Sequence, residues 1–181
     1  GAIAAIEVPQ RIAAMPRELE AAQRVAVDSL PADAALAGQD LVLVNSPPSF
    51  VGAYLWMLRL GTDAAVPKRL RPLGSTDRAV IVARPDAYTL VLQPVGGYLG
   101  DPFSQLVRSA AHPFAPGERV ELDGLVLTVV AVHEGRPFVV EARFAVPLED
   151  PSLRWATWRG DRFVPFVPPP IGGRAALPGG P

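Results

Sequence analysis

Residues Val120–Val146 read VELDGLVLTVVAVHEGRPFVVEARFAV, and this stretch decides the fold class. Within it Phe138, Val140, Ala142, Phe144 and Val146 alternate with Val139, Glu141, Arg143 and Ala145. A two-residue period puts the first set on one side of a strand and the second on the other, so one face meets a core and the other is partly wet. Upstream, Asp123-Gly124 favours a type I′ turn between Val120–Leu122 and Leu125–Val132, and His133-Glu134-Gly135-Arg136 makes the next reversal. The expectation is an antiparallel meander with Phe144 inside and Arg143 outside.

Working outward, Ala79–Ala83 (AVIVA) and Tyr88–Gln93 (YTLVLQ) flank the turn-rich Arg84-Pro85-Asp86-Ala87 and should pair as a hairpin. Asp40–Asn45 (DLVLVN) is an almost wholly apolar run, the pattern of a strand covered on both faces. Ser46, Pro47, Pro48 and Ser49 then suit a helix start. The helix expected from Ser49 to Leu60 carries Phe50, Tyr54, Leu55, Trp56, Met57 and Leu58, so it reads as apolar on most sides and buried, with Gly61 as a left-handed terminator. An extended segment at Arg69–Leu73 completes a β-α-β unit.

Before it, Pro16 to about Leu30 reads as an amphipathic helix with Leu19, Ala22, Ala26 and Leu30 in one stripe and Glu18, Glu20, Gln23 and Arg24 mostly elsewhere. The loop Gly96–Gly100 leads into a short helix capped by Asp101 and running to about Ala110. Beyond Pro147, Trp155, Trp158, Phe163 and Phe166 are expected to fold back as a lid over an open side of the sheet. The predicted class is α+β: an N-terminal helix and β-α-β unit, an antiparallel β-meander, and a Pro/Gly-rich C-terminal tail. Residues 1–15 read as a linker or the end of a membrane helix, 16–166 as a single globular domain, and 167–181 as an extended or disordered tail.

Composition supports one globular unit. A chain of 181 residues, 49% of them hydrophobic, can build a core without disulfides or a structural metal. Its 21 prolines and 16 glycines force frequent interruptions and favour short strands over a long-helix bundle. With 17 basic and 18 acidic side chains there is no overall field to hold nucleic acid or an anionic membrane. Arginine is spread from Arg11 to Arg174 with Lys68 the sole lysine, which reads as coding bias. Absence of cysteine excludes thiol catalysis, thiolate zinc sites and iron–sulfur clusters. The apolar run Ala2–Ile6 reads either as a docked or frayed terminus or as the last turns of a membrane helix.

Reactive side chains are sparse. The two histidines, His112 and His133, cannot make a three-histidine zinc site, and both fall in predicted loops or turns. A serine hydrolase would use Ser46 or Ser49 with His133, yet neither serine has the flanking glycines of a nucleophile elbow, and Pro47 removes a backbone donor. The Gly96–Gly100 spacing matches no phosphate-binding fingerprint, and Asp101 would repel an anion there. Nothing in the spacing of Glu149, Asp150 and Asp161 predicts a shared glycosidase cleft. Two binding candidates remain. Arg69 and Arg71 share a face of one extended segment beside Lys68, a place for lipid headgroups, a glycan phosphate or an acidic partner, or simply a solvated edge. Trp155 and Trp158 suit sugar stacking in a carbohydrate-binding module, or core closure.

The order of amphipathic helix, Leu30-Pro31, DLVLVNSPPSF and the apolar helix through Tyr54 to Leu58 resembles the soluble tail that follows the membrane part of many bacterial polytopic proteins. Some of these are similar to membrane glycosyltransferases that use lipid-linked sugars. The resemblance covers about residues 16–75 and not the β-rich second half. In that family the catalytic acids lie in loops of the membrane part, so the resemblance implies an extracytoplasmic, membrane-attached accessory role and carries over no catalytic residue. The functional expectation is a non-catalytic domain for interaction or ligand recognition, with no cofactor and no metal. Its expected partners are the membrane-embedded part of the same polypeptide, a membrane partner protein or a glycan, and not nucleic acid.

Overall fold

The computed structural model describes residues 17–47, 55, 57–100 and 112–179. The fold is mixed α+β and mostly strand, built on two sheets. Helix α1 (Arg17–Asp28) and a 3-10 turn (Ala34–Gly38) lead to β1 (Asp40–Leu43), and residues 57–60 are helical before β2 (Arg69–Pro72). There follow β3 (Val80–Ala83), β4 (Thr89–Pro94), β5 (Arg119–Leu122), β6 (Leu125–His133), β7 (Arg136–Phe144), β8 (Leu153–Arg159), β9 (Arg162–Pro165) and β10 (Arg174–Leu177).

The first sheet has the order β2-β1-β8-β9, with β1 parallel to both neighbours and β9 antiparallel to β8. The second is antiparallel, in the order β10-β3-β4-β7-β6-β5, and contains the β5-β6-β7 meander. Every residue of β1 is buried, because the strand has apolar layers on both sides. Val42 and Val44 face the second sheet, among Val82, Leu92, Ala142 and Phe144. Leu41 and Leu43 face the other way, among Ala26, Val27, Leu30 and Leu55. Three layers result, helical segments on a mixed sheet on an antiparallel sheet, with β1 central.

Several expectations are corrected. Trp155, Trp158 and Phe163 form no lid; they belong to β8, the strand beside β1, and to β9, which pairs with β8. Trp155 and Phe166 enter the inter-sheet core, whereas Trp158 packs with Phe163 in the helical layer. The tail 167–181, read as extended or disordered, is extended at Arg174–Leu177, which pairs as a strand beside β3 with Ala83 to Val80 as backbone partners. Ala26 and Leu30 of the expected stripe are buried, and the buried side also takes in Val27 and Gln23, the latter assigned to the polar side. In the helical residues 55 and 57–60 only one side is covered: Leu55 and Arg59 are buried, while Met57 and Leu60 are exposed.

Gly61 does not adopt positive φ; the helix ends through short-range bonds from Gly61 N to Leu58 O and from Thr62 N to Arg59 O. The Asp123-Gly124 turn is likewise not type I′, because only Gly124 has positive φ. Glu134 and Gly135 both have it, so that geometry occurs at the β6–β7 turn. Expectations at Ser49–Tyr54, at 101–111 and before residue 17 lie outside the described residues. Among the described residues no helix is long and apolar enough to cross a membrane.

Candidate functional site

Parallel strands leave their carboxyl ends on one side of a sheet, and the crevice beyond those ends is where open α/β sheets hold ligands. Here β1 and β2 both run on past their regular ladders. Ser46 N donates to Gly74 O at 3.0 Å and Thr76 N to Ser46 O at 3.3 Å, making an isolated parallel bridge between Ser46 and Ser75. Ser75 Oγ donates to Pro47 O at 2.7 Å, and Asn45 Nδ2 donates to Thr76 O at 3.1 Å. These bonds fix Ser75–Arg78 as one wall of a cleft of about 320 Å³.

The second wall is the turn after β4. Gly96 and Gly97 both adopt positive φ, as does Leu99, and Tyr98 N donates to Pro137 O at 2.8 Å. Glycine is needed at 97 because a Cβ there would sit 3.0 Å from the Pro137 carbonyl. The turn drives the Tyr98 ring inward over Gly74, where burial pushes the phenol pKa up. The third wall is Arg136, at the start of β7.

Two guanidinium groups therefore border the cleft, Arg78 against Gly96 and Arg136 against Gly100. Arg136 also pairs with exposed Glu134 at 3.1 Å, a surface contact that costs little to exchange. Among the described residues neither Arg78 nor Asp77 has a side-chain ion pair. The arrangement offers planar cationic donors, a hydroxyl and a carboxylate around a volume at the lower end of small-ligand sites, about 300 to 1,000 Å³. A wider groove of about 530 Å³ between α1 and Leu58–Thr62 lacks this convergence of donors at strand ends.

The residues singled out from sequence are not brought together. Arg71 is buried, with Nε donating to Asp40 Oδ2 at 2.7 Å and Nη2 to the Asp123 carbonyl. Arg69 bridges Asp40 and the Asp123 carboxylate. Both arginines thus tie the first sheet to the β5–β6 turn, instead of forming a solvated edge or an open cationic face. Trp155 donates its indole N–H to Leu148 O at 2.9 Å and packs edge-on to Phe144. Trp158 lies on the opposite face of β8, so the two tryptophans make no common stacking platform.

Ser46 is buried and its hydroxyl has no hydrogen-bond partner, while His133 is exposed on the β6–β7 turn beside Glu134. No hydrogen bond joins them, and Ser49 lies outside the described residues. Among the described residues no group of three His, Asp or Glu side chains is placed to hold a metal.

Sequence reasoning missed Arg78 and Arg136, and it dismissed the Gly96–Gly100 loop for want of a motif. The available signal was the pair of polar stretches following two parallel strands, Asn45-Ser46 and Ser75-Thr76. Comparison with known proteins adds no identification: no family model, no curated protein and no solved structure matches the chain.

Proposed function

We propose that the chain is a non-catalytic recognition domain that binds a small ligand bearing an anionic group in the cleft at the carboxyl ends of β1 and β2. The observation that carries this is the pair of guanidinium groups bordering one cleft, Arg78 at the end of the Ser75–Arg78 wall against Gly96 and Arg136 against Gly100 at the other end of the 96–100 loop. Guanidinium forks match carboxylate and phosphate oxygens. The buried, unpartnered Ser46 hydroxyl and the exposed His133 favour binding over hydrolysis, since nucleophilic catalysis needs the two in contact. The separate faces of Trp155 and Trp158 weigh against a sugar platform.

The proposal extends to an accessory role on the extracytoplasmic side of a bacterial membrane protein, supported by the resemblance of residues 16–75 to soluble tails of polytopic proteins. Titration with inorganic phosphate and with succinate, followed by amide shifts, tests the cleft. Shifts confined to Ser75–Arg78 and Gly96–Gly97, abolished by Arg78→Ala with Arg136→Ala, support it; unlocalised or absent shifts with both probes overturn it. Protease treatment of intact cells tests the location, which requires cleavage from outside.

A further inference from the structure

We infer that β5 is a self-pairing edge through which two copies of this chain join their six-stranded sheets antiparallel, centred on Val120. The inference concerns a surface distinct from the cleft and does not depend on its ligand. Among the described residues β5 has one neighbour, β6, and all four of its residues are exposed.

The backbone sets the register. Val129 N donates to Glu118 O, so the carbonyl of residue 118 turns toward β6. The two-residue alternation of an antiparallel ladder does the same for Val120 and Leu122. The N–H and C=O of Arg119 and Glu121 therefore point outward. In an antiparallel pair centred on Val120, Arg119 of each copy lies opposite Glu121 of the other, and these four outward donors and four outward acceptors include two matched sets of two bonds.

The side chains agree with that register. Arg119 and Glu121 lie on one face of β5, 3.6 Å apart in a weak ion pair along the strand. Across the twofold they form two opposite-charge cross-strand pairs, and Val120 meets its own copy at a position where side chains approach closely. Centring on Glu121 would oppose two like charges. Val120 and Leu122 lie on the core-facing side, opposite Leu127 and Leu125, yet remain 49% and 47% exposed because β5 overhangs the rim of the inter-sheet core. Charged side chains ordinarily blunt an edge strand; in the Arg-Val-Glu-Leu sequence the two charges are of opposite sign, so the strand is complementary to itself across a twofold. So short a strand makes a small interface, and the expected association is weak and concentration-dependent.

Sedimentation equilibrium over the full soluble concentration range tests this with the 181-residue chain. The unmodified chain should show a monomer–dimer equilibrium. Arg119→Glu and Glu121→Arg should each shift it at least tenfold toward monomer, since each opposes like charges twice. The double variant should regain dimer, and an equimolar mixture of the two single variants should form a heterodimer. Circular dichroism checks that each variant is folded, which is expected for exposed substitutions. A chain that remains monomeric at every concentration overturns the inference, as does a dimer that survives both single reversals or a double variant that stays monomeric.

Discussion

Arg71 Nε lies 2.7 Å from Asp40 Oδ2 across two parallel strands, with the guanidinium side chain 6% exposed and the carboxylate side chain 11%. Arg69 reaches the same carboxylate at 3.3 Å, and both arginines also reach Asp123 on the turn between β5 and β6. One carboxylate on the central strand thus holds two cations of the edge strand against the opposite sheet. Removing a single member of such a buried pair leaves an uncompensated charge, and this cost exceeds the net worth of the pair. Asp40→Ala should therefore destabilise the domain by about 3 to 5 kcal/mol. Arg71→Met in the Asp40→Ala background should recover part of that loss. Urea unfolding of the two variants checks it: a double variant no more stable than Asp40→Ala alone would mean the guanidinium is not stranded.

The meander makes a second prediction. Phe144 is buried at the centre of the inter-sheet core and packs edge-on to Trp155 with ring centroids 5.2 Å apart. Phe144→Ala should cost about 3 to 5 kcal/mol through lost burial and a residual cavity. Arg143 stands on the opposite face, more than half exposed, and pairs with Asp86 at 3.2 Å. Arg143→Ala should cost no more than about 1 kcal/mol. Thermal melts of the two variants should separate clearly, and equal losses would contradict the alternation.

Acid should act through Glu149. Its carboxylate receives hydrogen bonds from the buried Arg84 guanidinium, which hold its pKa below the ordinary glutamate range. A depressed carboxylate contributes stability that is fully present above its unfolded pKa and disappears as pH falls through the lower folded value. The contribution of this pair should therefore fade below about pH 4.3, the unperturbed glutamate value. Glu149→Gln should lower stability at neutral pH and flatten the acid limb of the stability curve. Melting temperatures from pH 7 down to pH 3 measure this, and an unchanged acid limb would refute it.

Sequence pattern made some of this architecture readable and concealed the rest for physical reasons. Asp40–Asn45 is apolar on both sides of the strand, and only a strand between two layers needs that, so β1 was legible. Its neighbour β8 was not, because Leu153–Arg159 (LRWATWR) has its tryptophans three residues apart, on no two-residue period, and lies more than a hundred residues away in the chain. Parallel pairing over such a separation leaves no local turn signal. Arg59 and Arg84 carried no pattern that marked them and Arg71 read as half of an open cationic face, yet each is buried and hydrogen-bonded to carbonyls or carboxylates supplied by distant segments. The cleft was illegible for the same reason: Ser75, Gly96 and Arg136 meet only after the two sheets have packed.

The wall of that cleft provides the last prediction. Gly74 packs beneath Tyr98, and a Cβ at position 74 would lie 2.7 Å from the tyrosine hydroxyl oxygen and 2.8 Å from Cζ. The ring cannot withdraw readily, because Tyr98 is buried within the inter-sheet core and its backbone is bonded to Pro137. Gly74→Ala should therefore cost about 1 to 3 kcal/mol by overpacking. Tyr98→Leu removes the obstruction while filling part of the space, so Gly74→Ala should cost much less in that background. A double-mutant cycle would then give a coupling energy of about 1 kcal/mol or more. Additive losses would mean that Gly74 is required for something other than the approach of this ring. Tyr98→Phe separates the two parts of the contact. The buried hydroxyl has no hydrogen-bond partner, so removing it relieves an unpaired polar group and should leave stability unchanged or raise it. A loss above about 1 kcal/mol would instead show that the hydroxyl is hydrogen-bonded in solution.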